Sequence, residues 1–460
     1  MSAGSSELPE SVSILGMGRT GVAVARYLAM RGVDICASDS REALEPGISE
    51  ELSSLGVRLV LGANEIRSGD TVVISPGIKP HSALFKEAQE RGSEVISEPE
   101  LFSRVFSRPI VSITGTDGKS TVTTWIAHVL NQAGKKALAG GNLGNPLLGE
   151  EALEALDVAV LEISAFQLVT THTLRSSVAV VTNIAEDHLD YFQDDAKAYE
   201  SAKRRLVDLC NGESRVVLSG EDPTLRSWSV PAGASVFYSA RSPGPDISAW
   251  CEGGFLCLGI SSGGEALDSP LRVLPLSDLP LVGAHNERNA LQVILAARLM
   301  GVSLEDIRRG LCSYEPLPHR CAVVGEVGGV RFINDSKATN PHAAMAALRG
   351  IDEPVILIAG GSEKGSDFVE FGQAIHSCTR ALVATGETAP RIMDSLPEGH
   401  RAILCEDMES AVRAAFDMAK PGDTVLLSPG CASFDAFRSY GHRGEVFTEL
   451  VRELISVTET

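Results

Sequence analysis

A glycine-rich polar segment, Thr114–Thr121, lies between an apolar run and a helical pattern, and it constrains the fold more than any other feature. The run Ile110–Thr114 predicts a buried strand, and Ser120–Asn131 predicts a helix. A Gly-Lys-Ser sequence at such a turn is typical of loops whose backbone N–H groups surround phosphates. Ile113 replaces the first glycine of the usual spacing, so the loop is a shortened variant. We expect an α/β domain that binds ATP; a glycine-rich connection with a surface lysine is the alternative.

The same alternation of apolar runs and helical patterns recurs along all 460 residues. It predicts an α/β protein with three consecutive α/β domains. These are a Rossmann-like domain (residues 1–108), a central P-loop domain with a parallel sheet (109–318) and a second Rossmann-like domain (319–460). The first boundary is placed at Pro109, which follows a helical stretch and opens a strand. Residues 230–282 are dense in Gly, Ser and Pro and contain short alternating runs, so we expect a small antiparallel part there.

Charge and cysteine content exclude several classes of protein. Asp and Glu number 60 and Lys and Arg 40, a net charge of −20 that disfavours nucleic acid as a partner. The nine cysteines form no Cys-x-x-Cys pair, which indicates reduced thiols. No apolar run reaches the roughly 18 residues of a membrane helix. The N-terminus has neither the basic start nor the apolar core of a secretory signal. We expect a cytoplasmic protein without membrane insertion.

A second glycine-rich turn, Gly16–Gly21, joins the first predicted strand to the first predicted helix. Its Gly-x-Gly-x-x-Gly spacing, with Asp39 at the end of the next strand, matches the dinucleotide-binding fingerprint. Small residues allow the backbone to approach a ligand, and a helix N-terminus favours anionic groups. The pattern alone leaves three interpretations open: a dinucleotide, another nucleotide-like ligand, or a structural turn.

Polar side chains follow two predicted strands of the central domain. The first strand precedes Glu162, Ser164 and Gln167, and the second precedes Asn183, Glu186, Asp187, His188 and Asp190. Ligands bind at the carboxyl ends of strands in such sheets, and hard oxygen ligands suit Mg²⁺. Glu162 is therefore a candidate Mg²⁺ ligand beside the phosphate loop. The alternative is that Glu186 and Asp187 cap a helix and that His188 is an ordinary loop residue.

Weaker signals occur further along the chain. Asn289 and Arg320 have side chains that could bind adenine, although a helix N-cap and a solvated arginine explain them equally well. In the third domain, three strand ends carry polar or glycine-rich runs, which predict a cleft for carboxylates and phosphates: residues 334–341, 360–364 and 428–433. Cys431 lies in the last run; we expect a packing role because no histidine is close in sequence.

Taken in order, five motifs resemble the Mur ligase family: TGTDGKST (114–121), EIS (162–164), NIAEDH (183–188), HNxxNA (285–290) and PHR (318–320). The resemblance covers residues 12–450. It implies an ATP-dependent amide ligase of peptidoglycan precursor synthesis that uses ATP and two Mg²⁺ ions. The glycine-rich start, NDSKATN (334–340) and LLSPGCASFD (426–435) resemble the branch that adds D-glutamate to UDP-N-acetylmuramoyl-L-alanine. Asp117 departs from the family, where asparagine is usual.

The resemblance also implies roles for individual residues. The UDP-substrate would be bound by Arg19, Thr20, Asp39, Ser40, Arg41, Ser75, Pro76, Gly77, Asn142, Ser164, Gln167 and His188. ATP would be bound by Gly115, Thr116, Asp117, Gly118, Lys119, Ser120, Thr121, Asn289, Arg320 and Asp335. D-glutamate would be bound by Lys337, Thr339, Lys364, Ser433, Phe434 and Tyr440. The metal ligands would be Ser120, Thr121, Glu162, His188 and Lys203, with Lys203 carbamylated by CO₂. The catalytic set would be Lys119, His188, Lys203, Lys337 and Lys364.

Several other functions remain to be weighed against this one. The chain could be another Mur ligase that adds a different amino acid, or a folylpolyglutamate-type ligase, although the glycine-rich start argues against the folate enzyme. An NAD-dependent oxidoreductase would leave the Gly-Lys-Ser loop and the third domain without a purpose. A non-catalytic nucleotide-sensing module would not need Glu162, His188 and Lys203. We expect a monomer whose partners are its three substrates.

Overall fold

The computed structural model describes residues 8–75, 77–144, 146–149, 153–185, 192–193, 195–281, 283–315, 318–351, 353–363 and 367–458. It contains three separate sheets, each with its own helices, which confirms the predicted α/β fold class with three domains. None of the helices in these ranges is long and apolar enough to cross a membrane. The chain divides into two compact units, Met1–Pro280 with Asn286–Tyr314, and Leu281–His285 with Glu315–Thr460.

The first sheet of the first unit is parallel, with the order β3-β2-β1-β4-β5. Its strands are β1 (Ser11–Leu15), β2 (Asp34–Asp39), β3 (Arg58–Leu61), β4 (Thr71–Ile74) and β5 (Val95–Ile96). Its helices are α1 (Arg19–Ala29), α2 (Ile48–Ser54), α3 (Ala83–Glu90) and α4 (Glu98–Val105). The sequence did not reveal β3 and β5, because β3 is only partly buried and β5 has two residues.

The second sheet has nine strands in the order β14-β13-β12-β11-β10-β9-β6-β8-β7. They are β6 (Ile110–Thr114), β7 (Ala137–Gly141), β8 (Val158–Glu162), β9 (Val178–Val181), β10 (Arg215–Ser219), β11 (Ser235–Ala240), β12 (Ile247–Glu252), β13 (Phe255–Ile260) and β14 (Ala266–Pro275). The helices are α5 (Lys119–Gln132), α6 (Ala165–Val169), α7 (Ala196–Asp208), α8 (Pro223–Ser227), α9 (Ala284–Leu299) and α10 (Leu304–Cys312). Strands β13 and β14 are antiparallel, as predicted. Strand β12 also pairs with β13 in antiparallel, whereas β11, in the same stretch, is parallel to both of its neighbours, because alternation in a short run does not encode strand direction.

The two sheets of this unit share one hydrophobic core. A single buried cluster contains Val12 and Leu28 from the first sheet layer and Leu161 and Val181 from the second. Helix α4 adds polar contacts, because the carboxylate of Glu98 accepts hydrogen bonds from the backbone N–H groups of Leu147 and Leu148, which follow β7. The first and second sheets therefore belong to one packed unit, and this fixes the positions of their strand ends.

The third sheet, in the second unit, has the order β15-β16-β20-β17-β18-β19. Its strands are β15 (Ala322–Val327), β16 (Val330–Asn334), β17 (Val355–Ala359), β18 (Thr379–Ala384), β19 (Ala402–Leu404) and β20 (Thr424–Leu427). Its helices are α11 (Pro341–Leu348), α12 (Val369–Cys378), α13 (Ala389–Asp394), α14 (Met408–Met418) and α15 (Tyr440–Thr458). All strands are parallel except β15, a half-exposed edge strand that the sequence did not reveal.

Candidate active site

The predicted phosphate-binding loop connects β6 to α5. Gly118, at the N-cap of α5, has a φ of 76°, a left-handed conformation that favours glycine. A Cβ at Gly118 would lie 2.5 Å from Oδ1 of Asn289, so the loop backbone packs directly against the start of α9. The Nζ of Lys119 donates to the carbonyl of Thr116 at 2.6 Å and folds back over the loop. The lysine and a helix N-terminus therefore meet at one point, which suits an anionic ligand.

Residues after β9 hold the loop through its backbone. The N–H of Asp117 donates to Oδ1 of Asn183 at 3.0 Å, and its carbonyl accepts from Oγ1 of Thr182 at 2.5 Å. The hydroxyl of Thr116 donates to the carbonyl of Ala185 at 3.0 Å. These contacts use main-chain groups of Asp117, so the loop does not need asparagine in order to adopt this conformation. Thr182 supports the loop in this way, although nothing in the sequence pattern indicated such a role.

Glu162 ends strand β8 beside the strand that leads into the loop, since it pairs with Ile113 of β6. Its Oε1 accepts a hydrogen bond from Nδ2 of Asn142 at 2.7 Å. Its Oε2 is buried and has no hydrogen-bond partner. A buried carboxylate oxygen without a donor is costly unless a cation neutralises it. This orphaned oxygen fits Mg²⁺, a hard cation that prefers oxygen ligands.

The remaining predicted metal ligands are placed as follows. Ser120 and Thr121 form the first turn of α5, and Ser120 is buried. His188 lies outside the described residues. Among the residues that are described, no three His, Cys, Asp or Glu side chains form a group able to hold a metal. Among the predicted metal ligands that the structure describes, Glu162 is the one carboxylate.

Lys203 lies on the buried face of α7 and is only 2% exposed. Its Nζ donates to the carbonyl of Gly115 and lies 4.4 Å from the ring centroid of Tyr199. The hydroxyl of Tyr199 in turn lies 3.2 Å from Oγ1 of Thr116. Lys203 is therefore not a solvated surface lysine, although the neighbouring Arg204 and Arg205 suggest one. Tyr199 was missed, although its i, i+4 spacing from Lys203 places both on one helix face.

Asn289 is buried on α9, and Nδ2 of its amide donates to Oδ1 of Asn286 at 3.3 Å. The helix begins five residues earlier, at Ala284, so an N-cap role for Asn289 is wrong. Gln292, one turn further, donates to the carbonyl of Thr182 at 3.2 Å. Helix α9 therefore turns a polar face to the phosphate loop, and Gln292 is a further residue that sequence reasoning missed.

The glycine-rich turn after β1 is too tight for a side chain at Gly21, because a Cβ there would lie 2.1 Å from the carbonyl oxygen of Gly16. The carboxylate of Asp39 accepts from the N–H of Met17 at 2.7 Å and from the N–H of Arg41 at 2.9 Å. Nε and Nη2 of Arg41 donate to it as well, at 3.0 and 2.9 Å. The Arg41 guanidinium holds the pKa of the Asp39 carboxyl well below its usual range.

Those four donors fill the roughly four acceptor sites of a carboxylate. Asp39 therefore has no acceptor left for the ribose hydroxyls that the acid of a dinucleotide fingerprint would bind. Its observed contacts are those of a residue that orients Arg41 and the turn.

The other candidates for the UDP-substrate lie at strand ends of the same unit. Ser164 and Gln167 bond each other in a capping box at the start of α6. The candidates that the structure describes lie at the start of α1 (Arg19, Thr20), after β2 (Ser40, Arg41), after β4 (Ser75, Gly77), after β7 (Asn142) or at the start of α6 (Ser164, Gln167). Pro76 lies outside the described residues. All of these positions are at the carboxyl ends of parallel strands, where open α/β sheets bind ligands.

In the second unit, Asp335 follows β16 and is buried. Its carboxylate accepts from Oγ of Ser428 at 2.7 Å and from the N–H of Cys321 at 3.2 Å. Burial raises the pKa of Asp335 to about 6. His319 and Cys321, on either side of Arg320, have φ values of 63° and 46°, which are strained for residues with a Cβ. The bond to Asp335 thus helps to hold the backbone that carries Arg320.

The candidates for D-glutamate that are described follow β16 (Lys337, Thr339), follow β20 (Ser433, Phe434) or open α15 (Tyr440). The Nζ of Lys337 lies 4.1 Å from the ring centroid of Tyr440, so the structure brings these two together. Ser433 is buried, whereas the ring of Phe434 is 71% exposed. Lys364 lies outside the described residues.

A buried arginine, Arg443 of α15, joins the two loops that carry these candidates. Its Nε and Nη2 donate to Oγ and O of Ser336, both at 2.9 Å. Its Nη1 donates to the carbonyl of Ala432 at 3.0 Å, and Nη2 to that of Cys431 at 3.1 Å. Burial lowers the pKa of Arg443 to about 10. Sequence reasoning missed this residue, because an arginine in a polar helix start gives no sign of burial.

Cys431 has the packing role predicted for it. It is buried, and its Sγ accepts a hydrogen bond from Oγ1 of Thr388 at 3.2 Å. Burial raises the pKa of the thiol to about 11, so the thiolate needed for nucleophilic attack is disfavoured.

Comparison with known proteins gives the family of the chain. Three family models match it: "Mur ligase MurD-like, N-terminal domain" at residues 10–97, "Mur ligase middle domain" at 113–297 and "Mur ligase, glutamate ligase domain" at 319–431. The UDP-N-acetylmuramoylalanine--D-glutamate ligase of Pelotomaculum thermopropionicum is 38% identical over 452 residues, 97% of this chain and 98% of the relative. The enzyme of the same name from Caldanaerobacter subterraneus subsp. tengcongensis is 37% identical over 461 residues, 97% and 99% of the two chains.

A solved structure shows the same fold. The pseudomurein peptide ligase type C from Methanothermus fervidus is 18% identical and superposes with a TM-score of 0.60, covering 97% of this chain and 100% of that one. The matched family models and the near full-length relatives settle the classification. The chain belongs to the Mur ligase family.

Proposed function

We propose that this chain is an ATP-dependent ligase that adds D-glutamate to UDP-N-acetylmuramoyl-L-alanine in peptidoglycan precursor synthesis, and so serves cell-wall formation, cell shape and cell division. The observation that carries the proposal is the match, over nearly the whole length of both chains, to ligases named for this reaction. Another Mur ligase that adds a different amino acid is not favoured, because the N-terminal domain also matches the MurD-like family model.

The chemistry of the reaction fits the residues present. A carboxylate is a poor electrophile, so the alanyl carboxylate takes the γ-phosphoryl group of ATP, which yields an acyl phosphate and ADP. The amine of D-glutamate attacks the carbonyl carbon, and the tetrahedral intermediate releases inorganic phosphate and leaves an amide. Lys119, folded over the loop, is the side chain that stabilises charge on the phosphoryl group. The protein otherwise contributes by aligning three anionic reactants.

ATP and Mg²⁺ are the cofactors. Glu162, with the hydroxyls of Ser120 and Thr121, would hold Mg²⁺ next to the phosphates, and the orphaned Oε2 of Glu162 supports this assignment. The ion supplies charge neutralisation when bound. We place the phosphates of ATP on the loop, its adenosine on Asn289, Arg320 and Asp335, and D-glutamate on Lys337, Thr339, Lys364, Ser433, Phe434 and Tyr440. The UDP-substrate is assigned to the strand ends of the first unit.

Lys203 is the proposed site of a carbamate and, with His188, of a second Mg²⁺. The uncharged amine attacks CO₂, an N–C bond forms, and a proton is released, so a cation becomes a carboxylate-like anion. Support comes from the burial of Lys203 against Gly115 of the phosphate loop. A buried ammonium is costly, whereas an anion at this place could share a hard cation.

Three further assignments accompany the proposed reaction. The substrate domains are residues 1–108, 109–318 and 319–460, and the three matched family segments fall within these limits. The enzyme acts as a monomer. It acts in the cytoplasm.

Phosphate release from ATP tests the proposed function. The purified chain is mixed with ATP, Mg²⁺ and UDP-N-acetylmuramoyl-L-alanine, and D-glutamate, L-glutamate, L-alanine or diaminopimelate is added in turn. We expect phosphate release only with D-glutamate, and only when the UDP-substrate is present. Release that is supported by L-alanine or diaminopimelate but not by D-glutamate would show that the chain is a different Mur ligase.

A further inference from the structure

Asn142 is attached to Glu162 by two hydrogen bonds. It follows β7, whose last residue, Gly141, pairs with Glu162 of β8. The backbone N–H of Asn142 donates to the carbonyl of Glu162 at 2.9 Å. The Nδ2 of the same residue donates to Oε1 of Glu162 at 2.7 Å. The main-chain contact fixes the position of Asn142, and this lets the short amide reach the carboxylate.

The amide bond distinguishes the two oxygens of the Glu162 carboxylate. Oε1 has its hydrogen-bond donor, whereas Oε2 is buried without one. A donor on one oxygen restricts the rotation of the carboxylate, so that a single oxygen is left for a cation. Partners of this kind orient metal ligands in many proteins, and their loss weakens metal binding.

We propose that Asn142 is a positioning residue for the metal ligand Glu162, in addition to its assignment to the UDP-substrate. The inference rests on the proposed function, in which Glu162 holds Mg²⁺. Asn142 is itself exposed, so the residue that orients the carboxylate is also accessible to a ligand at the edge of the sheet. One amide therefore connects the sugar-nucleotide site to the metal site.

The test measures metal binding without turnover. Mn²⁺ replaces Mg²⁺, and its affinity for the enzyme–ADP complex is measured by electron paramagnetic resonance in the absence of UDP-substrate. We expect Asn142→Ala to weaken Mn²⁺ binding by about 10-fold or more. Asn142→Gln keeps an amide donor and should retain much of the affinity that Asn142→Ala loses.

A matched control is Asn131→Ala. The amide of Asn131 brackets Ala137 at the other end of β7, donating to its carbonyl and accepting from its N–H. This variant loses two hydrogen bonds to the same strand, and its Mn²⁺ affinity should equal that of the wild type. Thermal melting of all variants shows whether each one is folded.

Two results would overturn the inference, and only the second would also contradict the proposed metal role of Glu162. If folded Asn142→Ala binds Mn²⁺ as the wild type does and only its KM for UDP-substrate rises, Asn142 contacts the substrate alone. If Glu162→Gln also binds Mn²⁺ normally, the proposed metal role of Glu162 fails together with the inference.

Discussion

The Nζ of Lys203 donates to the backbone carbonyl of Gly115, a residue 88 positions earlier in the chain. This contact attaches helix α7 to the phosphate loop and removes the lysine from solvent. The ring of Tyr199 covers the ammonium group, and its hydroxyl lies near Thr116 of the same loop. The lysine therefore lies buried against the predicted phosphate-binding loop rather than on the protein surface.

Lys203→Ala should lower kcat by roughly 100-fold or more, because an anion-forming side chain next to the phosphates is lost. Short carboxylates such as formate or acetate should restore part of the activity, since they can occupy the vacated space and replace the carbamate. The measurement is turnover with and without added acid. Lys197→Ala, at an exposed position of the same helix, is the control and should keep full activity. Full activity of Lys203→Ala without added acid would exclude a role in the reaction.

Lys119→Ala should reduce kcat by ~10²–10³, because one preorganised charge at the transferring phosphoryl group is lost. The loop backbone should survive, since Thr182 and Asn183 hold Asp117 through its main chain. Steady-state kinetics measures the effect, with Lys136→Ala, an exposed lysine beyond the other end of α5, as the control. A kcat close to that of the wild type would contradict the assignment of the phosphate loop.

Asp117→Asn should leave the loop intact and tighten ATP binding by roughly two- to five-fold. The reason is electrostatic: the change removes a negative charge near a triphosphate, and a solvent-screened charge pair is worth on the order of 0.5–1 kcal/mol. A titration of ATP affinity in the presence of Mg²⁺ measures the effect. Weaker binding of ATP by the variant would indicate instead that the Asp117 carboxylate assists the metal.

Glu98 should make the protein less stable as the pH rises. Its carboxylate is buried and accepts from the N–H groups of Leu147 at 2.6 Å and Leu148 at 3.3 Å, yet burial still raises its pKa from 4.5 to about 7. At a pH between these two pKa values, the Glu98 carboxyl keeps its proton in the folded state but has lost it in the unfolded state. Protonation of Glu98 therefore gives its full stabilisation of the folded state, at most about 3 kcal/mol, when the pH is below the lower pKa. This stabilisation is lost by about pH 7 to 8.

Glu98→Gln should remove that part of the pH dependence. Thermal unfolding of the wild type and the variant between pH 5 and pH 8 measures it, and the difference in Tm between them should change steadily in favour of the variant as the pH rises. The exposed Glu90→Gln on α3 should follow the wild type. Parallel Tm curves for the wild type and Glu98→Gln would show that Glu98 is ionised throughout.

The phosphate loop could be predicted from sequence because its chemistry is local. The Gly-Lys-Ser turn, the apolar strand before it and the helix after it are adjacent in the chain, and the structure places α5 within one residue of its predicted start and end. The same holds for Glu162, which was recognised as the polar end of an apolar run. Local patterns of this kind determine where a strand ends and therefore where a site is built.

What could not be predicted depends on contacts between distant segments. The burial of Lys203 requires α7 to pack on a loop far away in sequence, and the composition of α7, with Arg204 and Arg205, indicates solvent exposure. Arg443 similarly finds its acceptors on Ser336 and Ala432 of two other loops. The sequence did not reveal the four donors around Asp39. The fingerprint predicts a carboxylate that is available to a ligand, whereas Arg41, two residues later, donates hydrogen bonds to it.

The most direct test of the proposed reaction follows one oxygen atom. UDP-N-acetylmuramoyl-L-alanine labelled with ¹⁸O in both oxygens of the alanyl carboxylate is incubated with the enzyme, ATP, Mg²⁺ and D-glutamate, and the inorganic phosphate is analysed by mass spectrometry. An acyl phosphate requires that the oxygen which takes the phosphoryl group leaves with it, so each phosphate released should carry one ¹⁸O and each amide product should retain the other. Phosphate without ¹⁸O, formed together with the D-glutamyl product, would contradict the mechanism, and no product at all would contradict the proposed function.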